Sequence, residues 1–100
     1  MGTGSTVTYI VTGSGAQVTY GPAGSDLSGN VPMKATAKIP SNAPDYYSIS
    51  AQLQGDGKVS CEIEVSGKVV SSSIATGGYN IASCEIIQDP LSGNWQDANS

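Results

Sequence analysis

The chain has 100 residues, 38% of them hydrophobic, with five tyrosines, one tryptophan and no phenylalanine, and its eight acidic residues against four lysines give a net charge of −4. That length sets a single domain with one small core built from Val, Ile, Ala and Tyr. Four scattered lysines (Lys34, Lys38, Lys58 and Lys68) without arginine argue against nucleic-acid binding and against direct binding to anionic lipid, and the absence of histidine removes Ser-His-Asp and Cys-His catalysis, histidine metal sites and histidine pH switching.

In chain order, residues 1–5, Met-Gly-Thr-Gly-Ser, read as an appended or linker segment ahead of the domain. From residue 6 to residue 87 apolar and polar side chains alternate with a period of two, and no window carries a helical period, so the chain is all-β. The alternation predicts strands at residues 6–12, 16–20, 31–39, 46–53, 58–65, 68–75 and 79–87, and seven strands are the count of a small antiparallel sandwich. Gly13-Ser14-Gly15, Asp56-Gly57 and Ser66-Gly67 read as hairpin turns, because glycine reaches positive φ without a Cβ clash. The Gly, Ser and Pro-rich stretch 21–30 reads as a longer loop, and Pro40 and Pro44 mark residues 40–45 as a crossover between sheets. Residues 88–100 lose the alternation and read as a mobile or loosely packed tail, with Trp95 either folding back on the domain or projecting as a contact residue.

Strand parity separates core from solvent. Val59, Cys61, Ile63 and Val65 share one face of their strand, with Lys58, Ser60, Glu62 and Glu64 on the other. Met33, Ala35, Ala37 and Ile39 point inward by the same rule, as do Tyr47, Ile49, Ala51 and Leu53, and Ala82, Cys84 and Ile86.

The two cysteines sit in a repeated tetrapeptide, Ser-Cys-Glu-Ile, at residues 60–63 and 83–86. Both fall on faces the parity rule buries, which predicts a disulfide between Cys61 and Cys84, within one sheet or between two; two buried thiols are the alternative. Closing a loop of 23 positions contributes about 3 kcal/mol in the chain-entropy model. Disulfides persist in oxidising surroundings, so the pair points to an extracytoplasmic protein. No stretch approaches the roughly 20 apolar residues of a membrane span, and no signal peptide is legible.

Little in the sequence carries chemistry. Glu62 and Glu64 lie on one exposed strand face, an arrangement that provides no cleft between paired carboxylates, and they read as a solvated, edge-protecting charge face. Asp26, Asp45 and Asp56 fall in loops, without the spacing of a calcium motif, and read as turn residues. No glycine cluster opens a helix after a strand, so no nucleotide fingerprint is present. The expectation is a non-enzymatic domain without cofactor or metal. The tyrosines are the better candidates: Tyr46 and Tyr47 point to opposite faces, and an exposed aromatic anchors partners well.

The ordered strand motifs resemble a known family. Thr6-Val7-Thr8-Tyr9-Ile10-Val11-Thr12-Gly13-Ser14-Gly15 followed by Ala16-Gln17-Val18-Thr19-Tyr20 resembles the opening of the MmpS family, small membrane proteins that accompany MmpL transporters in mycobacteria and their actinobacterial relatives. Val31-Pro32-Met33 sits where that family has Leu-Pro-Trp, residues 48–54 look like its Ala-Gln strand, and Ser60-Cys61-Glu62-Ile63-Glu64-Val65-Ser66-Gly67-Lys68-Val69-Val70 resembles its central cysteine strand and hairpin. Tyr79-Asn80-Ile81-Ala82-Ser83-Cys84 matches the closing tyrosine-to-cysteine spacing, so that the likeness runs over about eighty residues. It implies an immunoglobulin-like β-sandwich on the outer face of the cytoplasmic membrane, reaching the membrane only through an N-terminal helix or lipid anchor outside this chain. It also implies an accessory role beside an RND-type exporter of lipids or siderophores. The candidate partner contacts are Tyr46 and Trp95, from their own positions as aromatics, and Met33, from its place in the family pattern. Met33 stands where the family has an aromatic residue, and the chain runs on further past Cys84. The second reading is a stand-alone lipoprotein domain of the cell envelope with a structural or small-ligand-binding role.

Overall fold

Alternating β-branched and polar residues build strands that each bury one face, and two such sheets stacked face to face remove both apolar faces from water. The computed structural model describes residues 6–22, 27–39, 46–89 and 91–98. It holds nine strands: β1 (Thr6–Gly13), β2 (Ala16–Pro22), β3 (Leu27–Asn30), β4 (Met33–Lys38), β5 (Tyr46–Leu53), β6 (Lys58–Val65), β7 (Lys68–Thr76), β8 (Ile81–Gln88) and β9 (Trp95–Asp97). They form two antiparallel sheets, in the orders β4-β1-β6-β7 and β3-β2-β5-β8-β9. The expected β-sandwich with one disulfide is therefore present, with two strands more than the alternation predicts.

Parity holds where a strand lies inside its sheet. Val59, Cys61 and Ile63 of β6, Tyr47, Ile49, Ala51 and Leu53 of β5, and Ala82, Cys84 and Ile86 of β8 are all buried, and Val7, Tyr9, Val11 and Val18 complete the core from β1 and β2. It holds less well on β4, where Ala37 is exposed and Met33 and Ala35 are only half-buried. β4 is the last strand of its sheet, so its inward side chains are covered from one side only.

Two of the expected hairpins are not hairpins. The Gly13-Ser14-Gly15 turn joins β1 to β2, and the turn containing Asp56-Gly57 joins β5 to β6, strands that belong to opposite sheets. Each is an arch across the sandwich, because β1 takes its hydrogen-bonding neighbours from β4 and β6 while β2 takes β3 and β5. At Gly13 (φ 124°) a Cβ would run into the Lys58 carbonyl of the adjoining arch. The arches are bonded to one another: the Gln54 N–H donates to the Gly15 carbonyl at 2.9 Å, and the Gly77 N–H, in the link from β7 to β8, donates to the Gly57 carbonyl at 2.9 Å. Ser66-Gly67 does turn a hairpin, between β6 and β7, with φ of 52° and 83°, positive at both central residues as a two-residue hairpin of right-handed twist requires.

The long loop expected at 21–30 contains β3, which pairs with β2 from Gln17↔Asn30 to Tyr20↔Leu27. Residues 40–45, expected as a crossover, lie outside the described residues; the strands on either side, β4 and β5, belong to different sheets. Residues 1–5, 23–26, 90, 99 and 100 also lie outside the described residues. The stretch read as a loose tail continues β8 to Gln88 and then forms β9, which lies beside β8 with Ile86↔Asp97, Ile87↔Gln96 and Gln88↔Trp95 paired. An Asp89 turn makes this return: the Leu91 N–H and the Ser92 hydroxyl donate to the Asp89 carboxylate at 2.9 and 3.0 Å, and the Asp89 N–H donates to the Asn94 carbonyl at 2.8 Å. Three residues are too short to show a period, so the alternation cannot reveal such a strand.

Candidate functional site

The cysteines meet between the sheets. Cys61 on β6 and Cys84 on β8 form a disulfide with a Cα–Cα distance of 6.2 Å, inside the range that such a bond spans without backbone movement. They are 1% and 0% exposed, and no free cysteine remains among the described residues. Because successive side chains alternate, Glu62 and Glu85 point away from their cysteine neighbours. The cysteine-glutamate pairs are thus a covalent staple and a solvated face, with no thiolate for nucleophilic work.

The three candidate contacts occupy three separate places. Met33 lies at the β4 edge, half-buried, and reaches across to β3, where a Cβ on Gly29 would come 2.6 Å from its sulfur and 3.5 Å from the Tyr20 ring. The glycine leaves the room that the thioether fills, so Met33 closes one lateral seam of the sandwich. Tyr46 lies half-buried on the outer face of the five-stranded sheet, paired with the exposed Ile87 of β8. Burial, then the charge of Glu85 and a hydrogen bond to it, push its hydroxyl pKa upward, so the phenol stays protonated and tied to that carboxylate.

Trp95 is half-buried on the opposite seam, its ring centroid 5.3 Å from that of Tyr47. It folds back rather than projecting. Behind it runs an aromatic chain, with Tyr9 and Tyr47 at 6.5 Å and Tyr9 and Tyr20 at 4.9 Å, all tilted as ring quadrupoles prefer. Burial, followed by the neighbouring Tyr47 and Tyr20, raises the Tyr9 pKa well above the phenol range, and burial raises that of Tyr47.

Among the described residues the surface carries two depressions of note. One, of about 310 Å³, is lined by Gln17, Val18, Thr19, Ser28, Gly29 and Asn30 on β2 and β3. The larger, about 660 Å³, lies on the Trp95 seam between the edge strands β7 and β9, lined by Val65, Lys68, Val69 and Val70 on one side and residues 93–97 on the other. It is the candidate site, because of these two it is the one that joins an aromatic side chain, valines and a lysine. Across it the Ser71 hydroxyl donates to Asp97 Oδ1 at 2.9 Å, tying the two sheets together at their edges.

The β7 side of this cleft is not identified by the sequence. One signal was there to be read: the inward residues of β7 are Ser71, Ser73 and Ala75, too small to fill the space a sandwich interior offers, so something else must cover them. Trp95 and Asp97 of β9 cover part of it.

Among the described residues no group of three or more His, Cys, Asp or Glu is placed to hold a metal ion, and Asp56 is an exposed turn residue. Asp26 and Asp45 lie outside the described residues. Among the described residues no helix is long and apolar enough to cross a membrane. No family model matches the chain, and no curated protein matches it.

Proposed function

We propose that the chain is a non-enzymatic, extracytoplasmic accessory domain, similar in role to the MmpS partners of RND-type exporters of lipids or siderophores. The observation that carries the reading is the disulfide: the two cysteines that anchor the resemblance, 23 positions apart, bond to each other across the sandwich. A cross-sheet staple of this kind suits a small domain in oxidising surroundings, where a core without phenylalanine has little to spare. An accessory role also fits a surface on which Val69, Ile74, Tyr79, Ile81 and Ile87 are exposed on a protein of sparse charge. Purification of the native protein from envelope membranes after cross-linking tests the reading. Recovery of an RND-type transporter supports it, and recovery of none across independent cross-linkers rejects it.

The cleft beside Trp95 favours one second reading, a stand-alone envelope domain that binds a small amphipathic ligand. Saturable quenching of Trp95 emission by an added fatty acid, abolished in a Val70→Asp variant of unchanged stability, would support that alternative.

A further inference from the structure

We propose that the free edge of β7 accepts an added β-strand from an extended peptide, with one apolar peptide side chain seated in the Trp95 cleft. This deepens the interaction reading above by naming the surface and the chemistry of what it takes.

Exposed strand edges present unpaired backbone groups, and proteins guard them by shortness, charge or proline. Among the described residues the two sheets have four edges, β4 and β7 in one, β3 and β9 in the other. Three are guarded. β3 has four residues and β9 has three, while β4 carries Lys34 and Lys38, both exposed. β7 differs from all of them: it has nine residues, its only charge is Lys68 at its first position, and from Val69 to Thr76 it contains no charge, proline or glycine. Val69 is 47% and Ile74 is 64% exposed. The one irregularity in its pairing falls between Ile63 and Glu64, near the Lys68 end, and from Ser71 to Thr76 the register with β6 is continuous. From Ser71 to Thr76 the edge is therefore regular and uncharged, and such an edge suits strand addition, with backbone bonds for affinity and alternate side chains for selectivity.

A second copy of the chain fits less well. Nine residues at about 3.3 Å each, over a sheet about 10 Å deep, give an edge of roughly 300 Å² per partner, against roughly 800 Å² per partner in a stable complex of globular proteins. Two copies would also each bring a net charge of −4. An extended peptide needs less area and can reach inward. Strand alternation sends its side chains by turns over Ile74 on the outer face and toward the small Ser73 and Ala75 on the inner one, and toward the Lys68 end the inner side opens into the cleft of about 660 Å³. Charge sets the direction: Lys68 is the cation at that end, and the Asp97 carboxylate already accepts from Ser71, so the peptide carries its acidic residue beside Lys68.

β6 is a strand that β7 is known to accept, with glutamates toward the Lys68 end. The probe is therefore the synthetic peptide Lys-Val-Ser-Ser-Glu-Ile-Glu-Val, the β6 sequence with serine for cysteine. Hydrogen exchange of the full chain with and without the peptide is expected to show protection on the order of ten-fold at amides within Lys68–Thr76. The double variant Ser72→Lys with Ile74→Lys, at two exposed outer-face positions, is expected to keep the thermal midpoint and Trp95 emission of the parent while weakening binding at least about ten-fold. Protection at β3 or β9 instead of β7, no protection at millimolar peptide, or undiminished binding by the double variant overturns the proposal. So does protection of β7 that grows with protein concentration without peptide, which would make a second copy the occupant. Because the titration uses purified protein, its failure leaves the transporter reading standing, and failed recovery of a transporter leaves the β7 edge standing.

Discussion

Replacing Cys61 and Cys84 together by alanine removes the disulfide that cross-links β6 of one sheet to β8 of the other. Alanine is the informative choice, since a serine hydroxyl at positions 0–1% exposed would add the cost of an unpaired buried polar group. With 23 positions in the closed loop, the chain-entropy expression gives about 11 cal/mol/K, or about 3 kcal/mol at 25 °C. Lost sulfur packing adds to this, since each sulfur sits in a core where voids are not refilled. Against a total stability of roughly 5–15 kcal/mol, such a loss is large, and at about 4–8 °C per kcal/mol it lowers the thermal midpoint by about 12–24 °C. The assay is thermal unfolding followed by circular dichroism and by Trp95 emission, with intact mass after alkylation as the covalent check. The parent should show no alkylatable thiol without reductant. A midpoint drop under about 4 °C, or two thiols labelled in the native parent, would refute the staple argument.

Three further outcomes follow from the geometry. Gly13→Ala meets both a positive φ and the Lys58 carbonyl, whereas Gly67→Ala meets a positive φ in open space, so urea unfolding should show the first costing at least about 1 kcal/mol more than the second, which pays only about 1–2 kcal/mol of left-handed strain. Trp95→Ala should destabilise by about 1–2 kcal/mol, less than the roughly 3–5 kcal/mol of a fully buried tryptophan, and should speed amide exchange at Ile87 and Asp89, whose backbone groups face β9, without touching β1 or β6; uniform acceleration would show that β9 is not a separate unit. The pH response has two limbs. Hydrogen bonds from Leu91 and Ser92 lower the Asp89 pKa, so that contribution is present above the ordinary carboxylate pKa and is lost as pH falls through the depressed value, releasing the β9 turn and red-shifting Trp95, an effect that Asp89→Asn should remove. Burial raises the pKa of Tyr9 and Tyr47, so their contribution is intact below the ordinary phenol pKa and is lost as pH rises above it, which ultraviolet titration of tyrosinate should show as late, cooperative ionisation coincident with unfolding.

The sequence by itself determined seven of the nine strands and the buried faces of those inside the sheets. Period-two alternation is a local property of the backbone, so the inward set of β5, β6 and β8 could be read residue by residue, and the pairing of Cys61 with Cys84 followed from both cysteines lying on such faces. Only the tertiary structure decided which strands share a sheet. A short glycine turn such as Gly13-Ser14-Gly15 serves a hairpin and an arch equally well, and the choice rests on which distant strands offer hydrogen-bonding partners. The same holds for the candidate site. Trp95 lies 25 to 30 positions from Val65 and Val70, and three residues of β9 carry no period, so nothing local marks them as a wall of one cleft. What joins them is the space left by Ser71, Ser73 and Ala75, and a void of that kind exists only once two sheets are stacked.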